Sequence, residues 1–269
     1  MLLPRVLTIA LGIPLALYVI GMGGAPYLVL VIGLTALALH EYALVLWIGG
    51  RGIQRVWTVA GGVLVALSVA LSARPFPGEG FVPLAITTVV LGALLRELFR
   101  REHSLDRAAL TVFGALAIGW TLGHLALLRE LHPNGKAFTL LLFAAVWATD
   151  TFAYCVGMAL GRHKLAPTVS PKKTWEGAAA GVAGALAAVW LARSWFLSET
   201  LGPATALGLG LLIGVGGQVS DLSQSLVKRA SGAKDSAALL PGHGGVFDRM
   251  DSFLILAPLF YYVVLVCGV

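Results

Sequence analysis

An all-α, polytopic integral membrane protein with about nine transmembrane helices is the fold this sequence predicts. Three observations carry that expectation. Of 269 residues, 58% are apolar and only 12% are charged, about half the charged share of a soluble domain. The mean hydropathy is +0.88. The apolar residues also fall in continuous runs near the roughly 20 residues that a helix needs to cross ~30 Å of hydrocarbon. A membrane β-barrel would alternate apolar and polar residues instead.

Nine runs can be followed in order. The first, 6–21, comes after Arg5 and has the look of a signal peptide, but no A-x-A cleavage site follows it, so it is kept as a helix. The second, third, fourth and fifth are 26–48, 57–73, 81–99 and 108–128. The sixth, 137–160, contains Asp150. The seventh, 175–197, opens on Trp175-Glu176, and the eighth, 204–227, becomes polar toward its end. The ninth, 252–268, begins directly after Asp251. Residues 1–135 read as a hydrophobic body of helices, and residues 136–269 as helices whose cytoplasmic loops carry the chemistry. The two halves form one membrane unit.

Charge orients the chain. With nine spans, the N-terminus and the even-numbered loops collect fifteen of the nineteen Lys and Arg residues, and the opposite side collects four. The positive-inside rule then places the N-terminus and those loops in the cytoplasm and the C-terminus across the membrane. The same rule accounts for the net charge of +6, so no nucleic-acid partner is implied. Thirty-three glycines suit close helix packing in a bilayer. Cys155 and Cys267 both sit in apolar runs, and no C-x-x-C occurs, which argues against a disulfide framework and against zinc.

Polar detail concentrates between Asp150 and Asp251. Asp150 lies within a span, where a carboxylate costs about 3 kcal/mol on the insertion scale. It marks either a functional cavity or a structural hydrogen bond. The sixth loop carries Arg162, His163, Lys164, Lys172 and Lys173, is stiffened by Pro167 and Pro171, and adds the hydroxyls of Ser170 and Thr174. It reads as a shaped phosphate-binding loop or as an ordinary basic loop. Asp221, Ser225 and Lys228 recur at i, i+4 and i+7, so they share one helix face. There Asp221 and Lys228 either act on a ligand or neutralise each other. Around His243 the glycines Gly242, Gly244 and Gly245 let backbone amides approach a ligand. Asp248 and Asp251 lie three apart where the last helix begins, which suits a hard cation such as Mg²⁺. N-capping would explain only one of them. Carboxylates for a cation and cations for phosphates, with no nucleophile–base triad, suit metal-assisted phosphoryl or nucleotidyl transfer.

The stretch from Ser225 to Asp251 reads Ser225-x-Val227-Lys228-Arg229, then Lys234-Asp235-x-Ala237, then Pro241-x-His243-Gly244-Gly245-Val246-x-Asp248-Arg249-Met250-Asp251. This 27-residue pattern resembles, without departure, the signature of the CDP-diacylglycerol synthases, or phosphatidate cytidylyltransferases. Lys164-Leu165-Ala166-Pro167, the run Ser170 to Gly177, and Asp150 with Ala153-Tyr154 also resemble that family. In the N-terminal half only Glu41 does so.

The resemblance implies Mg²⁺-dependent cytidylyl transfer from CTP to phosphatidate, giving CDP-diacylglycerol and pyrophosphate, in phospholipid biosynthesis. It further implies a homodimer in the inner (plasma) membrane. With it, the metal is assigned to Asp221, Asp248 and Asp251, and phosphate contacts to Lys172, Lys173, Lys228, Arg229, Lys234 and Arg249. Ser170 and Ser225 are assigned as hydrogen-bond donors, and Gly244 and Gly245 as backbone contacts. His243 is a phosphate donor or a turn residue. Asp235 pairs with Lys234 or holds a second cation. Two rival readings are a CTP-dependent lipid kinase, which would release CDP, and an anionic-solute transporter, which would leave CTP intact.

Overall fold

The computed structural model describes residues 3–72, 81–232 and 245–268, with side chains from residue 12 onward. Among them are nine helices: α1 (Leu3–Met22), α2 (Gly24–Ile48), α3 (Arg55–Leu71), α4 (Phe81–Leu98), α5 (Leu105–Glu130), α6 (Gly135–Leu160), α7 (Trp175–Phe196), α8 (Pro203–Ala230) and α9 (Asp251–Cys267). Each expected apolar run is one helix, with ends moved by a few residues, as is usual where helices fray. Six of them, α2 and α4 to α8, are long and apolar enough to cross a membrane. The described apolar part of α1 (Gly12–Met22), α3 and α9 are shorter.

Large apolar side chains stand at the surface: Leu84 is 61% exposed, Phe99 84% and Val266 86%. In water, apolar patches of this kind drive association. In a bilayer they meet lipid, while the helices satisfy their own backbone groups, as a membrane demands. The chain is a multi-pass membrane protein.

One element was not expected. The sixth loop folds into a hairpin of β1 (Lys164–Ala166) and β2 (Ser170–Thr174), antiparallel, with Lys164 opposite Thr174, Ala166 opposite Ser170, and a register irregularity between them. Pro171 is tolerated because each strand of a two-stranded sheet is an edge.

The chain divides into two compact units, Met1–Glu130 with Val227–Met250, and Leu131–Leu226 with Asp251–Val269. In the first, α3 and α5 approach so closely that a Cβ on Gly119 would lie 2.2 Å from the Gly62 carbonyl oxygen. Glycine is required there by backbone contact, as at other close membrane helix crossings. Buried Glu97 is bound through both oxygens by Arg107, at 2.7 and 2.6 Å, and receives Gln54 Nε2 at 2.7 Å. Gln54 Nε2 also donates to Ala93 O, and its backbone N–H to Thr111 Oγ1. In the second unit α6 and α7 meet along Gly177, Gly181 and Gly184. Gln218 of α8 donates to Ala178 O of α7. Fully buried Ser220 of α8 donates to Asp251 O and accepts from the Ile255 N–H, which ties α8 to α9.

Candidate active-site residues

In the first unit the last turn of α8 presents Lys228. Its Nζ lies 2.7 Å from Asp248 Oδ1, with side-chain exposures of 15% and 21%. Asp248 belongs to a tight turn, Val246–Met250, in which the N–H groups of Arg249 and Met250 both donate to Val246 O. Val246, Phe247 and Met250 are buried and anchor the turn. Asp248 is half-buried and Arg249 exposed. The turn is also held from α2: Glu41 Oε1 accepts from the Val246 N–H at 2.9 Å and Oε2 from the Phe247 N–H at 2.7 Å. Gly245 is buried at the entrance to the turn, and Arg229 is exposed at the end of α8.

In the second unit Asp221 of α8 is ion-paired with Lys173 of β2, the side chains 31% and 24% exposed. Two groups fix the hairpin that carries Lys173. Glu176, in the first turn of α7, accepts from the backbone N–H groups of Arg162 and His163, and lies 2.6 Å from His163 Nδ1. Thr174 caps α7 by accepting from the Gly177 N–H at 3.2 Å, and the Trp175 N–H donates to His163 O. Both ends of the hairpin are thereby clamped onto the start of α7. Lys172 is exposed on β2, while Ser170 and Ser225 are half-buried. Asp251 opens α9, its Oδ1 accepting from the Ser252 N–H at 2.7 Å. Asp150 and Tyr154 are exposed on α6, whereas Gly157 and Gly161 lie against Thr174.

Two expectations are narrowed. Thr174 serves first as the cap of α7: it is only 5% exposed and its oxygen accepts from the Gly177 N–H. Replacing it with Val should lower stability by about 1 kcal/mol, read as a lower thermal midpoint in detergent, with the KM for CTP unchanged. Asp221 and Lys228 do not neutralise each other: Asp221 pairs with Lys173, and Lys228 with Asp248. A shared helix face says only that two side chains point the same way. Lys234, Asp235, His243 and Gly244 lie outside the described residues.

Sequence reasoning left Glu41 without a role and passed over Ser220. Glu41 did carry a signal, since a carboxylate inside a 25-residue apolar helix must find donors there. Ser220, one hydroxyl among many, carried none.

Among the described residues no three His, Cys, Asp or Glu side chains form a group that could hold a metal ion. Asp221 and Asp248 nevertheless offer the hard oxygen donors that Mg²⁺ prefers, and Mg²⁺ commonly binds through one or two carboxylates plus waters and substrate phosphates. Each of these carboxylates by itself is of the kind that suits an ion bringing its own waters and phosphate ligands.

Comparison with known proteins agrees over the whole chain. Residues 3–267 match the profile of a family described as the cytidylyltransferase family. The chain is 33% identical to the phosphatidate cytidylyltransferase of a Synechocystis species, covering 97% of this chain and 95% of that one. It is 31% identical to the phosphatidate cytidylyltransferase of Bacillus subtilis, covering 96% of each. With that of Brucella suis, identity reaches 47% over 148 residues, 54% of the relative's length.

Proposed function

We propose a division of labour among these residues from one premise: the chain belongs to the cytidylyltransferase family and makes CDP-diacylglycerol from CTP and phosphatidate. The phosphatidate phosphate is already an anion, so its attack on the α-phosphorus of CTP, with pyrophosphate leaving, needs little base catalysis. It needs alignment and charge neutralisation, because two polyanions must meet.

The observation that carries the reading is the pair of Asp–Lys couples. Each holds an ammonium and a carboxylate in register at partial exposure. Lys173 and Lys228 are the first cations for substrate phosphates, and Lys172, Arg229, Lys234 and Arg249 are assigned as further phosphate contacts. Ser170 and Ser225 donate hydrogen bonds, Gly244 and Gly245 are assigned as backbone contacts, and His243 is a phosphate donor or a turn residue. Asp221 and Asp248, with Asp251 at the helix start, would hold Mg²⁺. When bound, the ion neutralises phosphate charge and polarises the phosphorus under attack. Asp235 pairs with Lys234 or holds a second cation.

Purified protein in detergent, given CTP, phosphatidate and Mg²⁺, is expected to release pyrophosphate and form a liponucleotide of the matching mass. EDTA should abolish both products. CDP in place of pyrophosphate would mean a lipid kinase, and intact CTP would mean transport. The residue assignment fails if Lys173→Met and Lys228→Met both keep wild-type turnover.

The same reading places nine spans in the plasma membrane, with the hairpin in the cytoplasm, and implies a homodimer. With Cys155 and Cys267 replaced by Ser, a membrane-impermeant maleimide added to intact cells is expected to label a cysteine introduced at Ser198 but not one at Thr168. The reverse pattern would invert the topology. A native mass in detergent of twice the 28.1 kDa chain is the expected sign of the dimer.

A further inference from the structure

We infer that Glu41 of α2 is a positioning residue that sets the direction of Asp248 through the backbone of the turn. Glu41 is fully buried in an apolar helix, a costly place for a carboxylate. What offsets that cost is specific. Its two oxygens take the N–H groups of two consecutive residues, Val246 and Phe247, as charge-assisted hydrogen bonds. Two successive peptide planes are thereby fixed, and the next residue in the chain is Asp248. The ring of Tyr42, the following residue on α2, meets the Phe247 ring edge-on at 6.1 Å and holds the same turn from the side.

The same helix also governs the end of α8. A Cβ on Gly49, just after α2, would lie 1.7 Å from Ser231 O, and Arg51 Nη2 donates to Ala230 O at 3.3 Å. Lys228, Asp248's ion-pair partner, thus leads into a segment that α2 and its following turn also hold. An apolar residue at position 41 would leave the Val246 and Phe247 N–H groups without this acceptor and the two peptides of the turn without this anchor.

The inference rests on Asp248 as a metal ligand. Groups that orient a ligating carboxylate change metal affinity on the order of tenfold or more when altered. The test uses the full chain in detergent with Glu41→Gln, which keeps one acceptor but turns an amide donor toward a backbone donor. Two readouts are taken: hydrogen exchange of the 245–252 segment, and the Mg²⁺ concentration for half-maximal pyrophosphate release, with Asp248→Asn as control.

The expected result is exchange at Val246 and Phe247 faster by about tenfold, together with a Mg²⁺ half-saturation raised on the order of tenfold and little change in the KM for phosphatidate. A purely structural Glu41 would lower the thermal midpoint and the active fraction while leaving the Mg²⁺ curve in place, which would overturn the inference. Unchanged exchange would overturn it as well. If Glu41→Gln yields no folded protein, Glu41→Asp, with both acceptors on a shorter arm, is read the same way. Failure of both to fold would assign Glu41 to folding alone. A Mg²⁺ curve unmoved by Asp248→Asn would instead remove the metal reading of Asp248, a separate failure.

Discussion

Replacing Asp248 with Asn is expected to lower cytidylyl transfer by about 10²- to 10³-fold while the protein stays folded. The magnitude is that of removing one preorganised electrostatic contact to developing charge, ~3 to 4 kcal/mol of barrier. Asn keeps an oxygen where Asp248 Oδ1 accepts from Lys228 Nζ, so the turn and the lysine should stay in place. What is lost is the negative charge that would attract a divalent cation. The Mg²⁺ concentration for half-maximal rate should therefore rise along with the loss in kcat. Pyrophosphate release against Mg²⁺ concentration, for both proteins at matched purity, checks this. Full turnover with an unchanged Mg²⁺ curve would remove Asp248 from the metal site.

Arg107→Met is expected to be the most destabilising single change away from the Asp–Lys couples. It leaves Glu97, whose side chain is 8% exposed, without its bidentate partner. Gln54 and the Ser104 N–H still donate to that carboxylate, but neither brings a charge. Breaking a buried pair from one side typically costs about 3–5 kcal/mol. The value here should fall near the lower end, because Arg107 is 15% exposed at its side chain and water reaches part of the pair. A fall in thermal midpoint of detergent-solubilised protein measures it. Arg107→Lys should recover only part of the loss, since an ammonium cannot reproduce the two-pronged contact. The double replacement Glu97→Gln with Arg107→Met should be milder than Arg107→Met alone, because no buried charge is then stranded.

The helices were legible in the sequence because lipid imposes one rule on every stretch that crosses it. A run such as 26–48 has to be a helix whatever its neighbours are, and it appears as Gly24–Ile48. The hairpin at Lys164–Thr174 was legible only as a stiff loop. Ser170-Pro171-Lys172-Lys173-Thr174 has no alternating pattern, and its strand partner is visible only once the chain has turned back. Candidate charges were legible as residue types, since Asp221, Lys228 and Asp248 are conspicuous on an apolar background. Their partners were not, because the Lys173–Asp221 pair joins residues 48 positions apart that sequence spacing does not relate. The contact from Glu41 to Val246 and Phe247 spans more than 200 positions. Only packing places that carboxylate under the turn, so the N-terminal helices read as inert although one of them holds the backbone next to Asp248.

The helix lengths also carry a consequence for the surrounding lipid. At about 1.5 Å of rise per residue, the 17 residues of α3 cover ~25 Å, whereas the 26 of its neighbour α5 cover ~39 Å. A hydrocarbon slab ~30 Å thick matches neither. If α3 crosses as the nine-span proposal has it, the acyl region beside it would thin or draw headgroups inward, while α5 would lean or extend into the interface. Bilayer thickness then becomes a term in the energy of the protein itself. Reconstitution in phospholipids of graded chain length should give an optimum on the thin side of a typical membrane, at the length where the strain of the short and long helices is balanced.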